Sequence, residues 1–104
     1  MPPAPQSAGN LDDRTRQLIW VEKSKDGIKT HLKDPDSARF KDVFFSKFEN
    51  IPVVCGQVNS KNGFGGYTGY RRFIASGKGV DFLQSDMVPN EFVRSWNLMC
   101  AGQR

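Results

Sequence analysis

The chain has 104 residues, 38% of them hydrophobic and 25% charged, with a net charge of +4. That length suits one domain with one modest core, and the composition excludes a disordered chain. Its 15 Lys and Arg are interleaved with 11 Asp and Glu, and Arg71-Arg72 is the one adjacent basic pair. This pattern reads as a mixed solvated surface and not as a phosphate-tracking patch, although it leaves a weak attraction to anionic partners.

No apolar run approaches the ~20 residues that span a bilayer. The opening MPPAPQSAGN lacks the apolar stretch of a signal peptide and reads as a flexible tether over residues 1–10. It suits the natural start of a cytosolic protein, or equally the residues that follow a removed leader. Residues 11–104 form the single folded domain.

Asn10 or Asp12 is placed to cap a first helix, whose stripe of Leu11, Leu18, Val21, Ile28 and Leu32 has helical spacing. Gly27 weakens the helix, and Pro35 ends it near Lys33. Asp34 before Pro35 suggests an Asx turn. "RFKDVFFSKF" then reads as a strand, with Phe40, Phe44 and Phe48 at even positions and Val43 and Phe45 at odd ones. A turn is expected at Asn50-Ile51-Pro52.

Val53–Asn59 is a strand by propensity. Asn62-Gly63 signals a hairpin turn, with Gly66–Ala75 pairing back. Ser76–Gly79 is the next turn and Val80–Leu83 a short last strand. Ser85 and Asp86 are expected to open a final helix with Pro89 in its first turn. There Phe92, Val93, Trp96, Met99 and Cys100 share one face, so Trp96 is expected to be buried against the sheet. The expected fold is α+β: an N-terminal helix, a meander of three or four antiparallel strands, and a C-terminal helix packed on the sheet.

The chemistry is sparse. Cys55 and Cys100 form no CxxC, and with His31 as the one histidine they complete no metal site. A disulfide clipping the last helix to the central strand is preferred to two buried thiols, and both are preferred to a catalytic cysteine working with His31. "GFGGYTG" lacks the lysine of a phosphate loop and precedes no helix, so its glycines serve turns and close packing. Asp81, Asp86 and Glu91 read as cap and surface charges. No catalytic residue, metal or cofactor is called for.

Phe64, Tyr67 and Tyr70 beside Arg71 and Arg72 are the candidate binding residues. Tyr and Arg concentrate at protein contacts, and an exposed tyrosine also suits a glycan. The same mixture occurs on nucleic-acid platforms, but the interleaved charge disfavours that partner. Cross-strand packing alone is the plain structural alternative.

Three stretches, "LKDPDSARFKDV", "VVCGQVNSKNGFGGYTGYRRFI" and "FVRSWNLMC", resemble a group of short hypothetical proteins from Gram-negative bacteria and their prophages. The likeness spans about residues 31–100. It implies export to the periplasm or cell surface, and it favours the Cys55–Cys100 pairing. It implies no catalytic residue. Three functions follow as expectations. The first is an exported, non-catalytic binding domain for a protein or glycan. The others are a cytosolic nucleic-acid binder of phage type and a cysteine-dependent enzyme.

Overall fold

In "IPVVCGQVN" the apolar residues run without alternation, as in a strand covered on both faces. The computed structural model describes residues 14–76 and 80–101, and it places this segment inside a four-stranded antiparallel meander. The strands are β1 (Arg39–Phe48), β2 (Ile51–Asn59), β3 (Arg71–Ala75) and β4 (Asp81–Leu83), in the order β1-β2-β3-β4. Helix α1 (Arg14–Lys29) and helix α2 (Pro89–Met99) lie on opposite faces of the sheet. The expected caps at Asn10 and Asp12, the tether and Leu11 fall outside the described residues.

On the α1 face, Ile28 and Leu32 pack with Val54, Val58, Phe73, Ala75 and Leu83. Of the expected stripe, Val21, Ile28 and Leu32 face the core, but Leu18 is 56% exposed, while Ser24, outside the stripe, is fully buried. Trp20, Ser24 and Ile28, spaced by four, form the inward line. Gly27 does not break α1. It lies so near the sheet that an added Cβ would come 2.8 Å from the Asp81 carboxylate.

On the α2 face, Val53, Cys55 and Ile74 meet Phe92 and Cys100. Cys55 and Cys100 are bonded, with Cα atoms 6.1 Å apart. That separation lies within the range a disulfide needs. A single 3-10 turn holds Gln84–Asp86, and α2 itself begins only at Pro89, three residues after Asp86. Val93 is half-exposed, so the buried face of α2 is narrower than the spacing suggests. Trp96 is half-buried. Its ring packs edge-on against Phe44 and stacks near Phe92.

Two local departures reorganise β1. The first is a bulge between Lys41 and Phe44, with Asp42 at φ 54°. An inserted residue reverses the in–out alternation. Phe40 therefore faces α1 and meets Phe73 edge to face, while Phe44 and Phe48 face α2. The bulge also presses Val43 onto Gly56, where an added Cβ would lie 2.9 Å from the Val43 Cα.

The second departure is the turn into β2. It consists of Glu49 and Asn50, both at positive φ, and Phe48 pairs with Ile51. This is the two-residue geometry that matches strand twist. Ile51 and Pro52 belong to the strand. Pro52 is tolerated because β3 pairs with β2 only from Val54 onward.

Candidate binding surface

Of the stretch expected to pair back, Gly66–Ala75, the second half does so as β3, and the part before Arg71 is a loop. β2 ends at Asn59 and β3 starts at Arg71, and between them Lys61 and Tyr67 form an isolated bridge. Asn62 organises the tip through its side chain. Its Oδ1 accepts from the Phe64 and Gly66 N–H groups at 2.8 and 3.2 Å. Its backbone N–H donates to the Gly66 carbonyl at 2.8 Å. Positive φ falls at Gly65 and Gly69 and not at Asn62-Gly63. The asparagine thus works as an Asx-type acceptor and not as a left-handed turn residue.

The base of the loop is tied down on two sides. The segment before β1 makes a 3-10 turn at Pro35–Ser37 in which the Asp34 carbonyl, not its carboxylate, accepts from Ser37. The Ser37 hydroxyl accepts from the Lys61 N–H at 2.8 Å, and the Ser37 carbonyl accepts from the Tyr67 hydroxyl at 3.0 Å. Across the loop, Asn59 Oδ1 accepts from the Gly69 N–H. Arg71 donates to Thr68 Oγ1 at 3.0 Å and to Ser60 Oγ at 3.3 Å. The path from Ser60 to Arg71 is therefore held by specific bonds along much of its length.

The five candidate residues take different places on this frame. Phe64, at the tip, is 99% exposed. Tyr67 is exposed along part of its ring but acts as a strut through its hydroxyl, with Arg39 and Lys61 lying 4.7 and 5.7 Å from the ring centroid. Tyr70 is exposed, and the Lys41 ammonium lies 4.3 Å from its centroid. Arg71 is half-buried in the loop base. Arg72 points to the α2 face, where its guanidinium lies 4.9 Å from the Trp96 centroid. The first four thus share the β2–β3 loop and its foot, while Arg72 belongs to a neighbouring polar strip.

That strip follows from register. Lys41 pairs with Gln57, and Gln57 with Arg72, so the three lie in one row across the sheet. Gln57 Nε2 donates to Asp42 Oδ2 at 3.2 Å at the bulge. Asp42, Gln57 and Arg72, with Val43, Phe44 and Trp96, line an open depression of about 490 Å³. Sequence reasoning passed over Asp42 and Gln57. The Trp96–Arg72 contact needed the placement of α2, which no spacing supplies.

At the foot of the loop is a second depression, of about 330 Å³, where His31, Lys33, Lys61 and Arg71 meet Ser60 and Thr68. Lys33 and His31 reach it from the segment after α1, far from the loop in sequence. His31 Nε2 also lies 3.8 Å from Asp81 Oδ2. Asp81 is not a surface charge: its side chain is 3% exposed. Burial raises its carboxyl above the ordinary value, and the neighbouring His31 and a backbone hydrogen bond from Ser76 offset part of that rise.

Cys55 is engaged in the disulfide and fully buried on the α2 face, whereas His31 sits with Asp81 and the elements of the α1 face. Among the described residues no three His, Cys, Asp or Glu side chains are grouped to hold a metal, and no helix is long and apolar enough to cross a membrane. Comparison of the chain with protein-family models, with curated proteins and with solved structures finds no match in any of the three.

Proposed function

We propose that the chain is a small binding domain with no catalytic role, that it works in the periplasm or at the cell surface, and that the β2–β3 loop engages a protein or glycan. The observation that carries this reading is an exposed aromatic tip on a hydrogen-bonded frame. Phe64 is 99% exposed, while the Asn62 side chain and the Ser37 turn hold the backbone around it. A phenylalanine this exposed adds nothing to the core and is open to a partner, and fixing the loop beforehand lowers the ordering cost of binding. Export is supported by the buried disulfide, since such bonds persist in oxidising compartments.

Nucleic acid is the less favoured partner. A base would have to displace the cations already lying against Tyr67 and Tyr70.

The test is the paired variant Phe64→Ser with Tyr70→Ser, displayed beside the wild type on beads and exposed to envelope proteins and glycans of the source cell. Melting should stay within ~0.5 kcal/mol of the wild type, as for surface changes generally. Capture should be lost. Undiminished capture by the variant removes the loop as the contact surface.

A further inference from the structure

We infer that the depression at the foot of the β2–β3 loop receives the acidic group of an anionic saccharide, a carboxylate, sulfate ester or phosphate ester carried on a sugar ring. This rests on the loop being the contact surface, and it adds the chemical class of the ligand.

Charge is the first ground. Lys33, Lys61 and Arg71 converge with His31 on the depression, and Asp86 is the one carboxylate that lines it. The chain's overall charge pattern is mixed, so three permanent cations around one acid is a local concentration made by folding. Lys33 follows α1, while Lys61 and Arg71 bracket the loop. An oxyanion placed among them gains charge-assisted hydrogen bonds, stronger than neutral ones.

Preorganisation is the second. The Arg71 fork is not free to wander: Thr68 Oγ1 and Ser60 Oγ accept from its two terminal nitrogens, and Ser60 is 2% exposed. A guanidinium fixed by hydroxyls, neutral partners that leave its charge uncancelled, is ready for an anion. Lys33 and Lys61 form no ion pair among the described residues, so an incoming acid breaks none there.

Size and surroundings are the third. About 330 Å³ suits a single sugar ring or its acidic substituent. Asn62 lines the rim and its Oδ1 fixes the turn that carries Phe64. The Asn62 amide and the hydroxyls of Ser60, Thr68 and Ser85 suit the hydroxyl edges of a sugar, and the apolar stems that line the depression suit its C–H faces.

The experiment titrates the 15N-labelled, disulfide-bonded protein with glucose, glucuronate, glucose 6-sulfate and glucose 6-phosphate, with sodium sulfate and a short oligothymidylate alongside. The anionic sugars should shift the amides of Lys61, Asn62, Thr68 and Arg71, and glucose should not. The double variant Lys33→Gln, Lys61→Gln should bind about tenfold more weakly at low salt with unchanged melting, since charged contacts of this kind are screened and exposed. Equal shifts from glucose, or shifts located elsewhere or absent, would overturn the inference. So would sodium sulfate binding as tightly as glucose 6-sulfate, which would mark an anion site with no use for a sugar. Tighter binding of the oligothymidylate at these residues would reassign the surface to nucleic acid. The two readings fail separately: a neutral sugar at these amides leaves the loop in place as the contact surface, while unchanged capture by the Phe64→Ser, Tyr70→Ser variant removes the loop and leaves the depression.

Discussion

The two faces of the sheet are closed in different ways. Over one, α1 runs for 16 residues and its line of Trp20, Ser24 and Ile28 sits on a layer that includes fully buried Phe73, Val54 and Val58. No covalent tie helps it. Over the other, α2 has 11 residues and only Phe92 among them is buried. It leaves an apolar depression of about 310 Å³ beside Phe48, Val53, Ile74, Phe82 and Met99 at one end, and the polar row of Lys41, Gln57 and Arg72 at the other. Just past its last turn is Cys100, bonded to the central strand. The lesson is that the disulfide stands where packing is thinnest. A short helix with one buried ring contributes little burial energy, and a covalent link makes its docking less dependent on that energy.

The largest expected effect lies on the well-packed face. Phe73→Ala should cost about 3 to 5 kcal/mol, the range for a fully buried aromatic, in oxidised and reduced protein alike. Denaturant unfolding reads it. A cost below ~1 kcal/mol would show that the α1 face is not held by burial, and the contrast between the faces would fail.

Next is the disulfide. Reduction, or Cys55→Ala with Cys100→Ala, should lower stability by about 2 to 4 kcal/mol for a closed loop of this length. Hydrogen exchange should locate the loss: amides of α2 should exchange faster while those of β2, β3 and α1 keep most of their protection. Uniform loss of protection would mean that the two faces unfold as one unit and that the bond serves the whole domain equally.

The smallest effect concerns Asp81, an ionisable side chain buried on the α1 face. Asp81 has a raised carboxyl pKa because burial disfavours its charge. The folded state therefore holds its proton to higher pH than the unfolded chain. The stability that goes with the protonated form is complete below the unfolded value and declines as pH rises through the folded one. Asp81→Asn should accordingly melt at or above the wild type at neutral pH, and the difference should shrink as pH falls toward the ordinary value of 3.8. A variant that melts lower at neutral pH would show that the contact with His31 outweighs burial, and would make this face partly electrostatic.

Much of the fold is legible in the sequence because it depends on period and composition. The β-propensity of Val53–Asn59 announces the central strand, and Phe92, Trp96 and Cys100 mark the docked side of α2. What escapes is set by single residues or by distant ones. Nothing in "FKDVF" declares a bulge at Asp42, yet it sends Phe40 to the other face from Phe44. Leu18 looks like a core residue, but Ser24 and Gly27 let α1 approach on a different side. At the candidate surface, the aromatic residues and arginines are evident as types. The split between strut and tip is not, because Tyr67 becomes a strut only through Ser37, 30 residues away. His31 and Lys33 join Lys61 and Arg71 only once α1 and β3 are placed together.

The bond between Cys55 and Cys100 spans 45 residues, and the β2–β3 loop lies entirely inside that interval. The loop is thus a segment of a covalent ring. A protease that cuts beside Phe64 opens the ring without dividing the molecule, and the two pieces stay joined until the bond is reduced. Under oxidising conditions the cut chain migrates as one band, and with reductant as two. A contact surface carried on such a ring can be severed at its most exposed point and still hold both of its edges on the same sheet.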